Sequence, residues 1–256
     1  MSIPEAIAIL AAGMGAGAVN AIVGSGSLIT FPTLLAFGYA PVVANISNTL
    51  GLVPGSISGA VGYRRELAGQ LPRSLQLGVA AALGGLSGGI LLLALPAAAF
   101  ERVVPFLILL ACLLVVLQPR LSRALLRHRA EDGRPSALLL AAVYATAIYG
   151  GYFGAAQGVI LIAVLGILLH DGLQRLNALK NVLVAVVNGV AALLFILLPL
   201  VLDVPGPRWD AALLIAIGSV AGGQIGAALG RRLPQSVLRV VIVVVGTGVA
   251  IKLLVG

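Results

Sequence analysis

Ten mostly apolar stretches follow one another along the chain, separated by glycine, proline and charged residues. No charged residue occurs from 6 to 63 or from 135 to 169. A helix that crosses a membrane needs about 20 predominantly apolar residues, and its backbone must be hydrogen-bonded internally. The pattern therefore predicts an all-α polytopic membrane protein. The predicted segments are 3–23, 27–39, 42–62, 73–95, 98–118, 137–156, 158–170, 173–201, 209–230 and 235–255.

Two of the segments, 27–39 and 158–170, are short for a membrane crossing. With about 13 residues each, they are better interpreted as half-helices or re-entrant elements. Each follows a break rich in small or polar residues, Gly24–Ser27 in the first case and Gly150–Gly158 in the second. Interrupted segments at corresponding positions of two halves are typical of a transporter's binding site.

The composition excludes several classes of protein as first interpretations. Of the 256 residues, 60% are hydrophobic and 9% are charged, whereas soluble domains carry about 25% charged residues. This is too little charge for a soluble enzyme, a nucleic-acid-binding module or a disordered chain. The single cysteine, Cys112, excludes a disulfide framework, and His128 and His170 lie far apart in the sequence. We therefore expect no metal, no cofactor and no nucleic-acid partner.

The two halves of the chain resemble each other in the order of their features. A shift of 132 residues places Gly26 on Gly158 and Asn45 on Asn177, and a shift of 138 aligns the later parts better. The ordered series of matches indicates a duplicated unit of five segments, each with a glycine-rich break and a short half-helix. The predicted domains are a first membrane repeat at 1–118, an arginine-rich cytoplasmic loop at 119–136 and a second, inverted membrane repeat at 137–256.

Positive charge predicts how the repeats lie in the membrane. Most of the net charge of +8 indicates which loops face the cytoplasm, because cytoplasmic loops are enriched in arginine and lysine. The loops 119–136, 64–73 and 231–239 are therefore predicted to be cytoplasmic, and 203–210, the counterpart of 64–73, to lie outside. An odd number of crossings per unit produces this inversion and places both termini outside the cytoplasm. We predict a multi-pass protein of the cell inner membrane with an inverted repeat, which is characteristic of secondary transporters.

One lysine lies within an apolar run of the second half. An ammonium group in hydrocarbon is costly unless it faces a cavity or a partner, so Lys180 is predicted to be functional. The alternative is that its ammonium group reaches the lipid headgroups beside Arg175. Asn177, Lys180 and Asn181 fall on one face of a helix. A positive charge flanked by amide donors suits a small anion.

The first half has an uncharged counterpart of this polar face in Asn45 and Asn48. Their alternative role is hydrogen bonding between helices, which is common for asparagine in membranes. The breaks could hold an anion through backbone N–H groups at the start of each short helix. Tight packing is the alternative; it explains the glycines but not the added serines and glutamine. The candidate substrate-binding residues are Ser25, Gly26, Ser27, Asn45, Asn48, Gln157, Gly158, Asn177, Lys180 and Asn181.

Five motifs resemble those of the TauE/SafE sulfite exporter family. They are SGSLITFP at 25–32, ANISN at 44–48, GSISGAVGY at 55–63, YGGYFGAAQG at 149–158 and the pair Lys180-Asn181. The resemblance covers essentially the whole chain. It implies a bacterial or archaeal inner-membrane permease for small organosulfur or carboxylate anions, such as sulfite, sulfoacetate or other sulfonates. The family's Gly-Gly pair after the first break is Gly26-Ser27 in this chain.

The leading hypothesis is an anion permease that works by alternating access, with Lys180 neutralising the substrate. Its partners are a small anion and the lipid bilayer; the sequence leaves a coupled proton, facilitated diffusion and a homo-oligomer open. One alternative is an intramembrane serine hydrolase that uses Ser25 or Ser27, with His170 or Lys180 as the base. Another is a non-transporting membrane assembly subunit. We rank transport, without enzymatic activity, above both alternatives.

Overall fold

The computed structural model describes residues 1–125, 136–169, 171–229 and 235–255. Within these ranges the chain forms ten α-helices, one short 3-10 helix at Leu198–Leu200, and no strand. His170, most of the predicted cytoplasmic loop and Arg231 and Arg232 lie outside the described residues. The helices are α1 (Ile3–Ile22), α2 (Ser27–Ala36), α3 (Pro41–Gly62), α4 (Leu71–Ala94), α5 (Ala97–Leu125), α6 (Ala137–Tyr152), α7 (Gln157–Leu168), α8 (Leu173–Leu197), α9 (Trp209–Leu229) and α10 (Gln235–Val255).

The all-helical class is confirmed, and the helices agree with the ten predicted segments to within a few residues in most cases. The main exception is α5, which continues to Leu125 instead of ending at 118. Arginine, leucine and alanine are good helix formers, so this helix extends beyond its most apolar part. Among the described residues, five helices are by length and composition apolar enough to cross a membrane: α1, α4, α5, α8 and α9. The 22-residue α3 is not among them, because its asparagines and serines lower its hydropathy.

The two helices that precede the breaks end in the same way. At the end of α1, the N–H groups of Val23 and Gly24 both donate to Val19 O, and Gly24 has a φ of +85°. At the end of α6, Phe153 and Gly154 both donate to Tyr149 O, and Gly154 has a φ of +77°. In both helices one carbonyl thus accepts from two successive N–H groups, and a glycine in the left-handed region ends the helix. It ends α6 four residues earlier than predicted.

Helices from the two halves of the chain are packed together. Helix α1 packs against α9, α6 against α4, and α3 against both α8 and α9. Backbones approach closely in these contacts: a Cβ atom at Gly222 would lie 1.9 Å from Met14 O, and one at Gly88 would lie 2.1 Å from Ile148 O. Small residues permit such approaches between helices in membranes. The packing brings the breaks of both halves into contact.

Candidate functional site

The two breaks touch each other through glycine. Gly158 N donates to Gly24 O at 3.0 Å. A Cβ atom at Gly24 would lie 2.5 Å from Gly158 Cα, so the contact has no room for a side chain. We call this contact, with the residues of both breaks around it, the crossing. Because Gly158 N is used in the contact and Gln157 N donates to Gly154 O, these two amides are not free for an anion, contrary to expectation.

The polar face of α8 is directed at the end of α1. Lys180 is fully buried, and its Nζ donates to Asn20 O at 3.1 Å and to Ala21 O at 3.4 Å. Asn177 and Asn181 also donate to Ala21 O through Nδ2, at 3.1 and 3.4 Å. Gly24 N, which would bond Asn20 O in a longer helix, donates to Val19 O instead. Lys180 therefore occupies the negative end of the α1 dipole.

Lys180 is not paired with a carboxylate in the part of the chain that the structure describes. The ion pairs found there involve Arg73, Arg175 and Arg208, with Asp171 or Asp210 as partner. An ammonium group has three N–H donors, and the two carbonyls of α1 use two of them. The side chain does not reach out towards headgroups, because it is fully buried.

The polar face of α3 contacts the opposite half and its own break. Asn45 Nδ2 donates to Tyr152 O at 2.9 Å, at the end of α6. Asn48 Nδ2 donates to Ser27 Oγ at 3.1 Å, and Thr30 Oγ1 donates to Asn48 Oδ1. Each half thus uses an asparagine to bind the end of the helix that precedes the other half's break. Asn48 and Ser27, by contrast, are hydrogen-bonded to each other within the first half.

Three buried polar atoms at the crossing have no hydrogen-bond partner: Ser25 Oγ, Asn45 Oδ1 and Gln157 Nε2. Each of these residues is only 1% exposed. Ser25 follows Gly24 directly, and the Gln157 side chain lies against Gly150, where a Cβ atom would be 2.3 Å from Gln157 Cδ. An unpaired buried polar atom costs about 1–3 kcal/mol, so three of them in or bonded to the breaks make the breaks a candidate position for a polar ligand.

The structure brings most of the predicted residues to this region. Ser25 and Gln157 are next in sequence to the Gly24–Gly158 contact, Asn45 binds the end of α6, and the α8 residues bind the end of α1. Gly26 instead packs on α1, where a Cβ atom would lie 2.4 Å from Ala16 O. The sequence interpretation missed Asn20, whose carbonyl receives Lys180 and whose Nδ2 donates to Ser56 Oγ at 3.0 Å. The sequence did contain a signal for Asn20, because this residue is strongly polar and lies in the otherwise apolar second half of α1.

Two polar clusters lie at opposite ends of α3. Before its start, Tyr39 donates to Glu5 Oε1 at 3.0 Å, and Arg208 lies over the Tyr39 ring. Burial, and then the hydrogen bond to Glu5, raises the pKa of Tyr39 to about 12, so its hydroxyl remains a donor at neutral pH. Beyond the end of α3, Asp171 pairs with Arg73 and with Arg175, the latter at 3.0 Å. Both clusters join loops to the first turns of helices.

An apolar cavity of about 630 Å³ lies elsewhere, between α3, α8 and α9. Leu50, Pro54, Gly189, Leu193 and Trp209 are among its lining residues. It contains none of the predicted site residues and offers no charged group to an anion. The crossing, rather than this cavity, is therefore the candidate site.

An all-helical chain with several membrane-spanning helices and a buried polar site at two helix breaks belongs to the class of multi-pass membrane transporters. The family model described as Sulfite exporter TauE/SafE matches residues 9–253. The protein belongs to this family, as its motifs indicated.

Curated relatives cover most of this chain. A probable membrane transporter protein, YfcA of Escherichia coli K12, is 29% identical over 242 residues, which are 94% of this chain and 86% of the relative. A probable membrane transporter protein of Haemophilus influenzae is 27% identical over 91% of this chain and 88% of its own length. ORF9 of Sinorhizobium sp, also a probable membrane transporter protein, is 26% identical over 93% and 88%. No solved structure matches this chain.

Proposed function

We propose that the protein is an inner-membrane secondary transporter that carries a small sulfur-containing anion, such as sulfite or a sulfonate, by alternating access. The observation that carries this proposal is Lys180, a fully buried cation without a carboxylate partner among the described residues. Ionisable groups buried in membrane proteins mark substrate and ion pathways. The substrate would lie at the crossing, beside the α1 end that holds the ammonium group.

The proposed roles follow from the donor groups that have no acceptor in the structure and from the contacts that hold them in place. The third N–H of Lys180 would neutralise the anion, while its other two stay on the α1 carbonyls. Ser25 Oγ and Gln157 Nε2 would donate to the substrate, because neither has a partner. Asn177 and Asn181 would position Lys180 through the shared acceptor Ala21 O. Ser27 and Asn48 would fix the start of α2 behind Ser25.

We also propose that 1–118 and 137–256 are inverted repeats joined by a cytoplasmic loop at 119–136, with both termini on the other side. Three observations support the duplication: the matching ends of α1 and α6, the reciprocal bonds of Asn45 and Asn177, and the equivalent packing of α1 on α9 and α6 on α4. An inverted pair of this kind allows the two halves to rock about a central site.

Flux into proteoliposomes tests the proposal. The Lys180→Met variant keeps the length of the side chain and removes the charge, and we expect sulfite flux to fall by about 10–100-fold, as for the loss of a charge-assisted hydrogen bond. Lys252→Met is the matched control, because Lys252 is an exposed lysine of α10; its flux should stay within about twofold. Unchanged flux in Lys180→Met would contradict the role of Lys180. An imposed proton gradient in the same vesicles separates coupled from uncoupled transport.

The alternative functions receive less support. Ser27 Oγ accepts a hydrogen bond from an amide, and Ser25 Oγ has no partner, so neither serine is paired with a base among the described residues. Covalent labelling by a serine-directed phosphonate would favour the hydrolase. Absence of stabilisation by every anion of a sulfite, sulfonate and carboxylate panel would favour the assembly subunit.

A further inference from the structure

The crossing contains a buried acceptor whose orientation is fixed. Asn45 Nδ2 donates to Tyr152 O, and a carbonyl oxygen can only accept. The amide therefore cannot be turned around without losing this bond, and Oδ1 is the atom directed away from α6. That oxygen is buried and has no donor. A ligand at the crossing thus meets a fixed acceptor in addition to the donors.

A fully deprotonated anion does not satisfy such a site. Its oxygens can accept from Gln157 Nε2, from Ser25 Oγ and from Lys180, but they have no hydrogen to give to Asn45 Oδ1. Two sets of lone pairs would then face each other in a buried site, where an unsatisfied acceptor is costly. An anion that carries one O–H group satisfies both the donors and the acceptor.

We propose that the crossing selects small anions that themselves carry a hydrogen-bond donor, namely monoprotonated oxyanions and hydroxyl-bearing sulfonates or carboxylates. The proposal rests on the proposed transport function and specifies its substrate class. Asn45 Oδ1 accepts the O–H of the ligand, while the donors of Ser25, Gln157 and Lys180 bind its anionic oxygens. Asn45 is the specificity-determining residue.

Matched sulfonates test this selection without changing pH. Isethionate and 1-propanesulfonate have the same charge and almost the same shape, and only isethionate has a terminal O–H group. Glycolate and propionate form a second pair. We expect each hydroxylated anion to bind detergent-purified protein about tenfold more tightly than its apolar isostere, which is the typical effect of satisfying one buried acceptor. Thermal stabilisation titrated with each anion measures the ratio.

Two variants assign the preference to Asn45. Asn45→Leu should bring the ratio close to one, because no acceptor remains for the hydroxyl. Asn177→Leu is the matched control: it removes the equivalent asparagine of the other half, whose Nδ2 bonds Ala21 O, and should lower both affinities while keeping the ratio. A merely structural role of Asn45 would lower both affinities equally. If Asn45→Leu does not fold, Asn45→Ala is measured in its place, and the wild-type ratio stands as an independent test.

The failures of the two proposals can be told apart. Equal affinity of wild-type protein for both members of each pair would overturn the selection and leave transport intact, as expected if a water molecule donates to Asn45 Oδ1. A ratio that survives in Asn45→Leu or in Asn45→Ala would overturn the role of Asn45. If none of these anions nor sulfite binds or crosses the membrane, the transport function itself fails and the selection fails with it.

Discussion

The ends of α1 and α6 have the same backbone geometry but are held by different side chains. Ala21 O at the end of α1 receives three donors from α8, including the ammonium group of Lys180. Tyr152 O at the end of α6 receives Asn45 Nδ2 from α3. The position equivalent to Lys180 in the first half, by the shift of 132, is Asn48, which binds Ser27 instead of a helix end.

The comparison shows which structural features the two halves share and which chemical groups occur in only one of them. Glycines that close helices and let breaks touch are common to both halves, because the backbone requires them. A lysine is contributed by the α8 side only and lies next to the end of α1, whereas the α3 side presents an unpaired acceptor. The matching ends of α1 and α6 are therefore bound by different side-chain donors.

The largest expected effect comes from breaking the contact that both halves share. Gly24→Ala would put a Cβ atom 2.5 Å from Gly158 Cα at a residue with a φ of +85°. We expect destabilisation by about 3 kcal/mol or more, since backbone must move to accommodate the methyl group. Gly38→Ala is the control: its φ is +82°, but no atom lies within 4 Å, so only the conformational cost of about 1 kcal/mol remains. Melting of both purified variants measures the difference; equal melting temperatures would show that the contact is not tight.

The second effect tests whether the charge must be on α8. Lys180→Asn makes the two polar faces alike, and we expect sulfite flux to fall by about 10–100-fold. Adding Asn48→Lys should not restore it, because position 48 faces Ser27 and Thr30 of its own break, not the α1 carbonyls. Flux in proteoliposomes is the measurement. Recovery in the exchanged variant to near the wild-type rate would show that either half can supply the cation.

The sequence predicted the helices and breaks better than it predicted the contacts of the site. Apolar runs determine where helices lie, and the apolar surroundings of Lys180 indicated its burial. The partners of Lys180 could not be predicted, because they are backbone carbonyls of Asn20 and Ala21 about 160 positions away, exposed by the way α1 ends. The use of Gly158 N by Gly24 O depends on how the breaks pack, which residue types do not encode.

The third prediction compares the stability lost when each of the asparagines that bind the two helix ends is replaced. Asn45→Leu leaves Tyr152 O without its side-chain donor, and we expect a loss of about 1 kcal/mol of stability. Asn177→Leu leaves Ala21 O with Lys180 and Asn181, so its loss should be within about 0.5 kcal/mol. Reversible unfolding of both variants in mixed micelles provides the comparison. A larger loss in Asn177→Leu would mean that the three donors on Ala21 O act as one unit.

The smallest effect concerns the ion pairs of Asp171, beyond the end of α3. Asp171→Asn removes ion pairs with Arg73 and Arg175, whose side chains are 25% and 40% exposed. Because such pairs are partly solvated, we expect a loss of about 1 kcal/mol or less, which salt should reduce further. Stability at low and at high ionic strength measures it, and Tyr39→Phe is the control at the opposite end, where a neutral hydrogen bond to Glu5 is lost. A loss in Asp171→Asn that persists at high salt would show that the cluster acts through packing instead of charge.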